Sequence, residues 1–578
     1  MIKNLFNLTL FLFIVLQVNA QSFWKKSDES GFQLRSAESR SIIPDKYQTF
    51  KLDFQGLKTY LANAPMEMSD EKNSETLLLE IPLPDGKTEM FKVYESPVME
   101  SEISARYPNI KSYKAYSMRD KSKNMRFALS INGFHGSIMS LSGENYIDPY
   151  SSENIQDYIV YDVKDHNSDT YKGVNLCGVE DESRPEIHHF NPTLRNAEEV
   201  ELRTYRLALA CTGEWGRVTR RGTKEKCLAD MNTMINRLNI IYEREMAIRY
   251  IIINDNDKLI FLDPATDPYE NSNEGKKLVG INTSKLNAII PSSSYDIGHL
   301  LSICFDIGGV VSGRLCNASN KGNGVTCNND NDLSRIVTRV LAHEIGHQLT
   351  AGHVWNNCDF DGEEAQFHQG SAVEPGSGST IMGYAGTCGA DNVVSAEDDY
   401  FNVRSLEQMY EATTNNAQAY LCAIKIQSGN HFPVITMPTK TYVIPISTPF
   451  ELSAKATDED GDNLTYCWEQ SDTGETVPLG SQSASAPLFR SFKPSATGDV
   501  RFFPRAANIL SGSFTDKTEV LPNNSRDLNF RFTVRDNNAA AGGVIWGDYK
   551  ISSSTQAGPF KITYPEIDVK FQIGQQVN

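Results

Sequence analysis

The chain changes its period of apolar and polar positions several times. From about 45 to 160, short apolar runs alternate with turn residues ("TLLLEIPLPDG", "MFKVYES", "MRFALSINGFHGSIMSL"), which predicts a β-rich unit. No cluster of chemically active residue types lies in it. The stretch "DESRPEIHHFNPTLRNAEEVE" is polar, mixed in charge and aperiodic, and predicts an exposed linker with a boundary near 198. Beyond it "TYRLALACTGEW", "RYIIIND" and "KLIFLD" read as strands. "KEKCLADMNTMINRLNIIYEREMAI" repeats its apolar positions every three or four residues and predicts a helix. "LSRIVTRVLAHEIGHQL" predicts another, with Asp332 or Ser334 as N-cap. Alternating strands and helices make this an α/β unit, closed by the helical "VRSLEQMYEATTNNAQAYLC". From about 430, short strands between turns predict an immunoglobulin-like β-sandwich. The expected division is a leader at 1–20, a β-rich segment at 21–198, the α/β unit at 199–426, the sandwich at 427–560, and the start of a further module or a tail at 561–578.

The first twenty residues carry Lys3, an apolar run from Leu10 to Leu16 and a small-x-small end at Val18-Asn19-Ala20. That pattern predicts a secretory signal cut after Ala20, because the run is short for a membrane span of about twenty residues. A formal charge of -18, with 73 acidic against 55 basic residues and no basic block, argues against nucleic acid as a partner. The expectation is an extracellular monomer with no membrane contact after signal removal. Ten cysteines in an exported chain point to disulfides. Eight fall between Cys211 and Cys422 and could make four bridges; Cys177 and Cys467 lie outside that set.

The chemistry concentrates in "HEIGHQLTAGH", residues 343 to 353. On a helix His343 and His347 share a face, so both imidazoles reach one ion, and Glu344 sits beside the first. His353 supplies a third ligand if the helix ends soon after His347 and the chain turns back, a turn that Gly352 would permit. Three imidazoles leave a fourth position for water, whose pKa zinc lowers to about 7. The competing reading is a surface helix that happens to carry histidines.

The stretch resembles the extended zinc signature of the metzincin peptidases, His-Glu-x-x-His-x-x-Gly-x-x-His, and "STIMGY" at 379 to 384 resembles their Met-turn. "YDIGHLLSICFDIGGVVSGRLC" is similar to the central strand, loop and edge strand of the reprolysin-like (adamalysin) branch. The likeness spans roughly 200 to 424. It implies zinc on His343, His347 and His353, Glu344 as general base and later proton donor, and Met382 as the floor beneath the metal. Tyr384 would either approach zinc or the reaction's oxyanion, or wall the pocket. Thr350 stands where the family has glycine, and Val354 replaces an aspartate that often follows the third histidine; both predict a turn of altered shape, shifted towards Gly352. "NLCGVEDE" is similar to the cysteine switch of adamalysin propeptides, making Cys177 a zinc ligand in a latent form; the alternative pairs it with Cys467. "TDEDGDN" resembles acidic turns of PKD- and cadherin-like modules, with Asp458, Asp460 and Asp462 converging on calcium or simply solvated. The function implied is a secreted zinc endopeptidase made as a zymogen, its protein or peptide substrate extended along an edge strand near Val310 to Arg314, with the C-terminal module binding or spacing. The rival is a secreted adhesion or binding protein with a vestigial zinc site.

Overall fold

The computed structural model describes residues 22–32, 40, 42–67, 76–152, 154–166, 177–179, 197–217, 222–270, 273–327, 332–333, 336–359, 366–415, 417–514, 516–560 and 569–576 except 571 and 575. The expected leader, most of the linker before 198, and Ser334 lie outside them.

The N-terminal strands form one nine-stranded antiparallel sheet. Its order is 24–26, 48–52, 157–162, 143–149, 133–140, 124–130, 111–117, 88–95 and 77–82. The period-two alternation separates two buried faces. Phe91, Phe127, Phe134 and Ile138 pack with Leu57 and Leu61 of the helix Phe54–Leu61. On the other face Ser112, Lys114, Arg126, Ser137 and Asp148 are buried although polar.

What covers that polar face is the helix Lys224–Met246, capped by the Thr223 side chain and ended by left-handed Ala247. Its apolar residues, Leu228, Met231, Ile235, Leu238 and Tyr242, join the main core. Its polar residues meet the N-terminal sheet: Ser112 bonds Asn232 at 2.8 Å, Lys114 and Arg126 bond Glu243 at 2.8 and 3.0 Å, and Arg237 bonds Asp148 at 2.6 Å.

The α/β unit is built on a sheet ordered 248–252, 199–211, 297–302, 324–327, 309–311, parallel except for the last strand. Strand Ile424–His431 carries the chain across residue 426 and pairs antiparallel with the start of Glu199–Cys211. "KLIFLD" is not a strand. Asn256 takes both main-chain bonds of Leu209 with its side-chain amide (2.8 and 2.9 Å), so the chain turns through Asn256–Leu259 and leaves only a bridge from Ile260 to Cys211. Three disulfides are present among the described residues, Cys304–Cys327, Cys316–Cys422 and Cys358–Cys388, rather than the four that were countable. Cys211 and Cys227 lie outside them, buried, with their thiols on the carbonyls of Phe261 and Gly216.

After 432 the strands make one four-stranded sheet, ordered 443–445, 544–554, 526–535, 465–470, and two two-stranded ribbons. They share a core of Leu452, Trp468, Phe503, Phe530 and Phe532. The last of these strands also reaches the α/β unit, where Val544 and Trp546 enter the main core.

Candidate metal centre

The helix carrying the histidines begins as a π-helical stretch, Ile336–Leu341, and continues as Ala342–Gln348. His343 and His347 fall one turn apart. The reversal that follows is built at Thr350, whose φ is 76°, so the expected shift of the turn towards Gly352 is wrong: the left-handed residue is the threonine itself. Thr350 N bonds His347 O at 2.9 Å and Ala351 N bonds Gly346 O at 3.0 Å. Gly352 is needed for space, since a Cβ there would lie 2.7 Å from Ser371 Oγ. The helix Val403–Tyr410 holds this turn from outside: Thr350 Oγ1 donates to Gln408 O at 3.2 Å and Gly352 N to Gln408 Oε1 at 3.0 Å.

So placed, His343, His347 and His353 converge, with His347 Nε2 3.0 Å from His343 Nε2 and 3.2 Å from His353 Nε2. Each Nδ1 faces a main-chain carbonyl: Ile381 O at 2.8 Å, Ala351 O at 2.7 Å and Gln366 O at 2.9 Å. A carbonyl only accepts, so each Nδ1 carries the hydrogen and each Nε2 presents a lone pair. Three lone pairs at this spacing repel unless a cation lies between them. Cys177 completes the group, its buried Sγ 3.4 Å from His347 Nε2. One ligand atom from each of the four lies within 4.8 Å of every other. Three imidazoles and a thiolate are a zinc donor set.

The main chain around Cys177 pairs with Gly309 in a parallel bridge, and Gly178 N donates to Gly309 O at 2.8 Å. The edge strand is Gly309–Val311, one residue earlier than expected, and residues 312 and 313 fold back onto Asn323. Glu344 is fully buried against this edge, so close that a Cβ at Gly309 would overlap its Oε1. Met382 lies under the helix, its sulfur 2.7 Å from where a Cβ of Gly346 would stand. Its carbonyl accepts Val354 N at 3.2 Å, so main chain makes the contact at the position where Val354 departs from the family's frequent aspartate. Tyr384 Oη is 3.0 Å from His353 Nε2, donates to Gln366 Oε1 at 2.5 Å, and lies 3.5 Å from Cys177 O.

Residues 201–412 match the family model described as metallo-peptidase family M12B, reprolysin-like. This stretch is a reprolysin-like metallopeptidase domain. Among solved structures the chain is similar to metalloproteinase-II from Bacteroides fragilis, at 11% identity over 64% of this chain and 96% of that one, with a TM-score of 0.34. A chaperone–substrate complex gives 11% identity over 50% and 38%, with a TM-score of 0.22. No curated protein matches.

Three residues that shape the metallopeptidase site were not singled out from the sequence. Glu374 Oε2 accepts from Ser379 N (3.1 Å), Thr380 N (3.2 Å) and Thr380 Oγ1 (2.9 Å), fixing the turn that leads to Met382. Burial pushes its carboxyl up to about 7. Gln366 receives Tyr384 through its side chain and His353 through its carbonyl. His299, on the central strand, bonds Gln348 and Thr326, both at 2.9 Å, and burial lowers its pKa to about 4, so it braces the helix as a neutral ring. The acidic turn is corrected as well. Asp458 and Asp462 gather with Asp536, whereas Asp460 turns to His431 N at 2.7 Å and leaves the cluster.

Proposed function

We propose that the chain is a secreted, zinc-dependent endopeptidase held latent by its own N-terminal segment. The observation that carries this is the convergence of Cys177 with His343, His347 and His353 while the same segment pairs with the edge strand. Zinc, when bound, supplies Lewis acidity towards a carbonyl oxygen and towards water. His343, His347 and His353 would hold it, and Cys177 would hold it as well in the latent chain. Glu344, dry and beside the first ligand, accepts the proton of the attacking water and returns it to the leaving amine. Tyr384 Oη, whose one hydrogen goes to Gln366 Oε1 in this arrangement, would donate to the oxygen on which charge develops once that bond is exchanged. Gly309 to Val311 offer main-chain groups to an extended substrate, which fits protein or peptide chains as substrate class.

Thr350 was the ground for a vestigial site, and it occupies the left-handed position with the ligands still converged, so that ground is removed. Three disulfides fit an extracellular location, and no helix among the described residues is long and apolar enough to cross a membrane. The monomeric state, the immunoglobulin-like reading of the strands after 432 and a calcium site belong to the same proposal, with Asp458, Asp462 and Asp536 as the candidate calcium ligands because Asp460 turns to His431 N. The test is to trim the N-terminal segment by limited proteolysis, count zinc, and assay a peptide library with and without a chelator. Cleavage that appears on trimming and disappears with the chelator is expected. A trimmed, zinc-loaded protein that cleaves nothing would overturn the proposal.

A further inference from the structure

Two routes of contact lead from the C-terminal strands to the histidines. Along the first, Arg535 on the strand Arg526–Arg535 is buried and bonds both carboxylate oxygens of Glu245, at 2.7 to 3.1 Å, and Phe401 O at 3.0 Å. Glu245 also accepts Phe401 N at 3.4 Å. The neighbouring Tyr400 O accepts Ile381 N at 3.1 Å, and Ile381 O is the carbonyl that fixes His343 Nδ1. The Phe401 ring meanwhile packs beside Gly346 and Met382. Along the second route, Glu469 accepts Val403 N at 3.2 Å at the start of the helix Val403–Tyr410, and Arg531 bonds Glu407 at 2.8 and 3.0 Å. That helix supplies both Gln408 contacts to the Thr350–Gly352 turn.

A buried ion pair contributes little net stability, because removing both charges from water offsets their attraction. What the Arg535–Glu245 pair does supply is position: the planar guanidinium fixes a carboxylate and a carbonyl at once. We propose that the C-terminal strands are part of the metal centre rather than an appended binding or spacing unit, with Arg535 as the positioning residue that aligns His343 through Phe401, Tyr400 and Ile381. This rests on the metal-site reading above. Partners around a ligand that orient it without touching the metal change metal affinity by roughly 10- to 100-fold when lost.

The test uses the full chain and reads zinc affinity by competition with a chromophoric chelator, the absorption spectrum of the cobalt-substituted protein, and melting temperature. Replacing both members of the pair, Arg535→Met with Glu245→Met, removes the two charges together; Arg244, which also bonds Glu245, keeps Asp399 O, and Glu469 keeps Val403 N and Thr533. The double variant is expected to bind zinc roughly threefold or more weakly, a smaller loss than for a direct partner of the ligand because Arg535 acts through three residues, and to shift the cobalt bands. Arg535→Lys, which keeps the charge without the planar fork, should fall in between. Lys455→Met, in an exposed pair with Asp499, should match the parent. Zinc affinity within twofold of the parent and an unchanged cobalt spectrum in the double variant would overturn the proposal. If that variant does not fold, Arg535→Lys decides by the same two readings. A parent chain that binds no zinc would count against the metal site itself, which separates the two failures.

Discussion

Thr350→Gly isolates the cost of the turn between the second and third histidines. A β-branched residue at φ 76° is in the left-handed region, where an L side chain costs about 1–2 kcal/mol and glycine costs nothing. Two terms oppose that gain. Glycine adds freedom to the unfolded chain, about 0.4–1 kcal/mol. The substitution also deletes the 3.2 Å bond from Thr350 Oγ1 to Gln408 O, about 0.5–1 kcal/mol for a half-buried hydroxyl. The sum is close to zero, so Thr350→Gly should leave the melting temperature within about 3 °C of the parent, given that 1 kcal/mol moves a domain of this size by about 2–4 °C. Thr350→Ala is the informative partner. It deletes the same hydroxyl but keeps a side chain at positive φ, so it should be less stable than the glycine variant by about 0.5–1.5 kcal/mol. Urea denaturation of both variants with zinc at fixed activity measures the difference. Alanine equal to or better than glycine at 350 would show that the strain has been misjudged.

Glu344→Gln should keep one zinc per chain and lower peptide hydrolysis by about 10²- to 10⁴-fold, the range of general acid–base catalysis; undiminished turnover would exclude the role given to Glu344. Gly309→Ala should depress kcat with zinc retained, because its Cβ overlaps the Glu344 carboxylate, and parent-like kcat would contradict that contact. Cys177→Ala should give the uncut chain partial activity, and complete silence would remove the thiolate from the account of latency. Glu144 in the N-terminal sheet is pushed up to about 7, by burial first and by Asp399 of the metallopeptidase domain second, from an ordinary 4.5. An acid whose folded pKa is raised contributes stability that is complete below about 4.5 and lost as pH rises through about 7, on the order of 3 kcal/mol here. Glu144→Gln should therefore flatten the fall of the urea midpoint between pH 5 and 8; a parallel curve would mean that Glu144 is not the group responsible.

The convergence of the three histidines was readable because helical periodicity and residue spacing are local: His343 and His347 are placed by one turn of helix, and His353 by the turn after it. Thr350 was readable as a departure, but its outcome was not, since two contacts from Gln408 hold the turn and Gln408 lies 58 residues downstream. Glu374 and Gln366 were illegible for the same reason. Each acts through a partner fixed by tertiary packing, and neither falls in a periodic segment. "KLIFLD" misled because its alternation suits a strand, while a single side chain, Asn256, took the bonds a neighbouring strand needs. The disulfide count failed at Cys211 and Cys227, where burial of the thiol replaces a bridge.

In the proposed zymogen, latency would draw on more than the thiolate. At one edge of the metallopeptidase sheet, Gly178 N bonds Gly309 O. At the other, Val98 O and Glu100 N bond Ile252 N and O at 2.8 and 2.9 Å, extending the sheet from the N-terminal side. Between them the helix Lys224–Met246 meets that side through Asn232, Asn236, Arg237 and Glu243, and Val98, Met99, Ile103 and Met139 add apolar contact. Removing the sulfur of Cys177 leaves these contacts and the occupied edge in place, so a substrate must still displace main chain from Gly309. That is why Cys177→Ala is expected to unmask only part of the activity. Departure of the whole segment is a different event. It hydrates a helix face that is already polar, and Glu243 keeps Arg249 as a partner within the domain. Loss of the C-terminal strands would instead take Arg535 from Glu245, which keeps Arg244, and bare Tyr410 where Trp546 packs. The two flanks differ in what their interfaces leave behind: in the proposed zymogen, shedding the N-terminal one would hydrate a largely polar helix face, whereas losing the C-terminal one would uncover the aromatic ring of Tyr410.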